Sequence, residues 1–285
     1  MTAGTGDIGA SGAISTAASN LIANAANGQI NINDSNTGTT TISGASASEG
    51  AFTLTTAGSI AQGGSSDTIS SNNLLTLQAG TNGSIAISAN LSGGSVTLNA
   101  NGSGTITQAA STNISTSGTL TLSSGSGDIG TSGANILTSA QHLTANTAGN
   151  VYVTDSNHVV LNASSAGNGD TFNLTSTGSI TIGGNVAATS GTIGSINLNS
   201  TTINEANGNY VLSANNVGLT STLGDIGASG SGLGTAILTN AANLTVASAG
   251  NAYVHDAANV NLNTSSVGST DTFNLTSTWN NYCCW

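Results

Sequence analysis

Apolar residues recur at every second position in short runs along the whole chain. Thr119-Leu120-Thr121-Leu122, Ser179-Ile180-Thr181-Ile182 and Ser195-Ile196-Asn197-Leu198 are three such runs, each set among Gly, Asn or Ser. Period-2 alternation over a few residues, bounded by turn formers, predicts half-buried β-strands. No apolar stripe of period 3.6 with capping residues extends over a helical length, so the pattern predicts an all-β chain.

Three markers recur in one order and set the architecture. The first is Gly-Asp-Ile-Gly, with its aspartates at Asp7, Asp128 and Asp225. The second is an aspartate after an alternating run, at Asp34, Asp155 and Asp256, and the third is Phe-x-Leu-Thr, beginning at Phe52, Phe172 and Phe273. Asp34 to Asp155 spans 121 residues and Phe52 to Phe172 spans 120, whereas Asp155 to Asp256 and Phe172 to Phe273 both span 101. The difference, and the interval between strand-bearing segments, point to a coil of about 20 residues, with five coils per long unit and one extra in the first. Such a coil cannot bury an apolar face alone, but stacked coils can. The expected fold is a right-handed parallel β-helix, a solenoid of about 14 coils. It forms a single repeat domain over 1–278, with long units of 1–121, 122–222 and an incomplete 223–278, followed by an atypical tail at 279–285. Ile30, Ile32, Phe52, Leu54, Val151, Val153, Phe172, Leu174, Val254, Phe273 and Leu275 are expected to point inward.

Composition agrees with stacked strands and narrows the chemistry. Gly, Ser, Thr and Asn supply more than half of the 285 residues, while Lys, Arg and Pro are absent. Proline would remove a ladder donor from a central strand. Abundant Ile, Val and Thr separate this chain from disordered ones, which are poor in β-branched residues. With no cation except three histidines and a formal charge of −11, the chain is unsuited to phosphate backbones and anionic membranes. Nucleic acid is therefore not expected as a partner. No run of 18 apolar residues occurs, and the start Met1-Thr2-Ala3-Gly4 has neither a basic nor an apolar leader region.

Gly-Asp-Ile-Gly, the segments ILTSAQHLTANTAGNVYV (136–153) and AILTNAANLTVASAGNAYV (236–254), and FNLTSTGSITI (172–182) resemble the repeats of large bacterial surface exoproteins of the filamentous-haemagglutinin type. The resemblance covers nearly the whole chain. It implies secretion through a partner outer-membrane pore or as an autotransporter passenger. It further implies a bacterial cell-surface location, an extended right-handed β-helix and adhesion to glycans or proteins of host or neighbouring cells. A secretion domain and a membrane barrel are not visible, so the resemblance implies an internal piece of a longer rod. Nothing about its ligand carries over.

Candidate chemistry is sparse. The eleven carboxylates are mostly isolated beside Gly, Ser or Asn, which fits side-chain-to-backbone turns better than a paired glycosidase site. The repeat signature of calcium-binding β-rolls is absent, and the histidines at 142, 158 and 255 are scattered. Cys283 and Cys284 are adjacent within the terminal segment, where neither zinc nor a disulfide framework is expected. No catalytic residue, metal site or cofactor is assigned. The remaining candidates are aromatic. Aligning 28–34, 149–155 and 250–256 places Asn31, Tyr152 and Tyr253 at one outward position, with Thr154 and His255 beside them. Exposed tyrosines offer rigid area with a polar tip, so these four residues are the expected ligand contacts, on one face about five coils apart. The leading function is a non-catalytic structural and adhesive segment. An ice-binding β-helix and a carbohydrate-active enzyme are the alternatives, and unblunted strand edges at the ends of the coil stack predict end-to-end self-association.

Overall fold

The computed structural model describes residues 1–44, 46–188, 193–229 and 235–277. All regular structure among them is β, and its strands stack in parallel, which makes the fold a β-solenoid of about 12 turns with about 22 residues each. The chain forms two compact units, Met1–Thr147 and Ala148 onward. The atypical tail lies outside the described residues.

In the first unit, strands stack as three files. One runs from Ile14–Thr16 to Ile30–Asp34, continues through Phe52–Thr56, Leu74–Gln78 and Ser95–Asn99, and reaches the second halves of Ile114–Ser123 and Ile136–Asn146. Its inward residues Ile30, Phe52, Leu75, Val96, Leu120 and Leu143 stand in register, at steps of 21 to 24 residues. All six are buried. A second file contains Leu21, Ile42 and then Ile60, Ile85, Ile106 and Ile129, and a third carries Ile69, Leu91 and Ile114. Alternation is the cause, because a strand's side chains point to opposite faces and only one face meets the coil interior.

In its first two copies Gly-Asp-Ile-Gly starts an exposed loop. Its isoleucines, Ile8, Ile129 and Ile226, are buried and bridge to neighbouring coils. Its last glycine is left-handed in all three copies, with φ of 82°, 70° and 66° at Gly9, Gly130 and Gly227. A Cβ at Gly9 would lie 2.5 Å from the Asn31 carbonyl oxygen, and one at Gly227 2.5 Å from that of Tyr253. Only glycine combines that φ with so close a backbone approach. Asp7 and Asp225 tie the loop's base to the next coil by accepting the backbone N–H of Gln29 (2.9 Å) and Asn251 (2.7 Å).

In the second unit one file runs Val151, Phe172, Ile196, Val217, Leu244 and Leu262, and the next runs Val159, Ile180, Ile203, Ile226 and Ala252. Four full turns from Val151 therefore end at Leu244, and Ala252 comes eight residues later in the neighbouring file. The 101-residue repeat is four turns and part of a fifth. This corrects the expected coil of about 20 residues: dividing the repeat into five whole coils made each one too short.

Of the eleven residues expected inward, Ile30, Ile32, Phe52, Leu54, Val151, Val153, Phe172, Leu174 and Val254 are buried. Phe273 and Leu275, in the last described strand Phe273–Ser277, are half-buried.

Candidate functional site

Tyr152 and Thr154 alternate with buried Val151, Val153 and Asp155, and Tyr253 and His255 alternate with buried Ala252, Val254 and Asp256. All four point outward, as their register in the sequence predicts, and all four are half-buried between neighbouring coils. They do not share a face. Tyr152 stands in the row Asn173, Asn197, Gly218 and Thr245, whereas Tyr253 belongs to the file of Ile203 and Ile226 and stands beside Asn274. His255 lies 2.8 Å from the Thr276 hydroxyl through Nδ1. The fractional turn at the end of the 101-residue repeat moves the equivalent strand to a new face, so the expectation of one four-residue contact surface is corrected to two separate pairs.

The three equivalent aspartates Asp34, Asp155 and Asp256 are fully buried at strand ends. Asp34 accepts the N–H of Ala18 (3.0 Å) and Asn36 (3.2 Å) and the Thr40 hydroxyl (2.8 Å). Asp256 accepts the N–H of Ala241 (3.1 Å) and Ala258 (2.9 Å) and the Thr239 hydroxyl (2.7 Å). Asp155 accepts the N–H of Asn157 at 2.7 Å. Each bonds the backbone two residues ahead, the Asx-turn arrangement, so burial of the charge is offset by donors from the turn and the adjoining coil. Among the described residues no three of His, Cys, Asp and Glu gather into a group able to hold a metal ion.

Glu205 differs. Burial pushes its carboxyl above the ordinary value, against backbone N–H groups of Tyr210, Leu238 and Asn209 that pull it down. Tyr210 donates to Oε1 at 2.6 Å, while Oε2 is buried without a partner. Gln108 holds the same place one repeat earlier, two residues beyond an isoleucine that bridges to the Gly-Asp-Ile-Gly coil. Its amide clamps Leu137 from both sides, Oε1 accepting the N–H at 2.6 Å and Nε2 donating to the carbonyl at 3.2 Å.

Two surfaces were not anticipated residue by residue. On the first unit Thr53, Thr76, Thr97, Thr121 and Thr144 stand in register, one per coil, in a single outward row. On the second unit the equivalent row opens into a groove of about 360 Å³, lined among others by Asn173, Asn197, Asn199, Gly218, Thr220 and Thr245. Gly218 makes the notch, since a Cβ there would lie 2.8 Å from Asn197 Oδ1. One wall is an amide ladder, in which Asn243 donates to Asn216 (3.1 Å) and Asn261 to Asn243 (3.2 Å). A glycine at an outward position of an alternating strand, Val217-Gly218-Leu219, was the available sequence signal for the notch.

Placed against known proteins, the chain is matched by no family model, no curated protein and no solved structure.

Proposed function

We propose that this chain is a non-catalytic structural and adhesive segment of a secreted bacterial surface protein, of the filamentous-haemagglutinin type that its repeats resemble. The observation that carries the reading is the use made of its carboxylates. Asp7, Asp34, Asp155, Asp225 and Asp256 are all engaged by backbone N–H groups within turns or between coils. Glycosidase chemistry needs two carboxyls free to act as acid and as base or nucleophile. The outward rows along the stacked strands are mostly uncharged Thr, Asn and Ser, a surface suited to binding without reaction. Surface display would require the full-length protein to use an outer-membrane secretion partner. Beads coated with the purified chain should adhere to cultured epithelial or bacterial cells above albumin-coated beads. Adhesion at the albumin level would overturn the reading.

The threonine row supports a second reading, an ice-binding β-helix. Five threonines at one coil spacing make a regular array, although the adjacent outward row changes from Thr55 to Gln78, Asn99 and Ser123. Thermal hysteresis in the purified chain, abolished by Thr97→Tyr, would favour this reading, and its absence would exclude it.

A further inference from the structure

We propose that the notch over Gly218 is a binding site for a neutral oligosaccharide, laid along the row from Tyr152 to Thr245. The lining carries amides, hydroxyls and no charge, so it offers nothing to balance a phosphate, a sulfate or a metal ion. Amide groups both donate and accept, which matches a ligand dense in hydroxyl groups that do the same. Among the described residues, the side chains of Asn173, Asn197 and Asn199 make no hydrogen bond to the protein, and Asn197 and Asn199 are exposed. By contrast, Asn216, Asn243 and Asn261 are bonded to one another and hold the wall in place. The floor is thus available to a ligand while the wall is preorganised, a division that lowers the cost of binding.

Gly218 supplies the depth. Its in-register neighbours are Asn197 and Thr245, so the missing side chain leaves a recess one coil wide between polar groups. Tyr152 stands at the end of the row, next to Asn173, where its ring can cover the apolar face of a sugar. From Tyr152 to Thr245 is four strand steps, about 19 Å at the spacing of hydrogen-bonded strands, room for a short oligosaccharide. Tyr253, in another file, takes no part.

The assignment rests on the adhesive reading and names the chemistry of its ligand. The test titrates the purified chain with neutral hexose tetrasaccharides of the cello, malto, laminari and galacto series, and with a heparin tetrasaccharide, by calorimetry and by amide chemical-shift changes. At least one neutral series should bind and shift resonances of Asn173, Asn197 and Gly218. The double variant Asn173→Ala with Asn197→Ala should bind about tenfold or more weakly, with a nearly unchanged melting temperature because those side chains make no hydrogen bond to the protein. Thr97→Ala, on the other unit, should bind like the parent. No binding of any neutral series, binding of heparin alone, or equal affinity in the double variant would overturn the site. Beads coated with parent and double variant separate the two proposals. Adhesion retained in full by the double variant leaves the adhesive reading standing and removes this site as its cause, whereas neutral-glycan binding by a parent that adheres to no cell keeps the site and removes the adhesive reading.

Discussion

Glu205 and Gln108 hold the same place in successive repeats, yet only the glutamine satisfies both the N–H and the carbonyl of the leucine beside it. A protonated Glu205 could donate as the amide does; an ionised one leaves Oε2 buried and unpaired. Burial raises its proton affinity in the folded state above the ordinary value of 4.5. The stability it contributes is therefore fully present below that value and is lost as pH rises through the higher folded one. Glu205→Gln is expected to raise the melting temperature at pH 7, with a gain of about 1 kcal/mol from restoring one hydrogen bond, and to change it little at pH 4. Thermal unfolding followed at both pH values measures this; a variant less stable than the parent at pH 7 would contradict the pairing with Gln108. At the same scale, Leu174 is buried between Val153 and Leu198. Leu174→Ala should cost about 2–5 kcal/mol, and Leu174→Asp should prevent a stable fold by burying an unpaired charge. Denaturant unfolding would read both, and an unchanged midpoint for the aspartate would refute the inward assignment.

Among the elements, the Gly-Asp-Ile-Gly loops make the sharpest claim about backbone. Gly9 is left-handed and its missing Cβ faces a carbonyl at 2.5 Å, while Gly12, three residues on in the same loop, has open space around it. Gly9→Ala should destabilise by about 1–3 kcal/mol, and Gly12→Ala should be near neutral, as melting temperatures of the two variants would report. The contrast also marks what the sequence could disclose. Alternation in Val151-Tyr152-Val153-Thr154-Asp155 identifies which residues enter the core, because a period of two leaves no second choice of face. The aspartates beside small polar residues are legible as Asx turns for the same local reason. Which face of the solenoid a strand occupies is a sum over every loop before it, and loops of different length hide that sum. Tyr152 and Tyr253 therefore align in sequence and separate in space. The groove was hidden because it depends on Asn173, Asn197, Gly218 and Thr245, residues from four different coils, standing in one row.

At the scale of the whole molecule, the register decides what the surface can present. Each unit is a stack of coils in parallel register, and in the second unit the 101-residue repeat ends part-way round a turn. Equivalent strands of successive repeats then display their outward residues on different faces, and the polar row over Gly218 remains distinct from the face of Tyr253. Methyl-to-methyl nuclear Overhauser measurements on chain labelled at Ala, Ile, Leu and Val test this directly. The fractional-turn register predicts cross-peaks from Ala252 to Ile226 and from Leu262 to Leu244. A cross-peak from Ala252 to Leu244, with none to Ile226, would mean that the repeat closes on a whole number of turns, and would contradict the account.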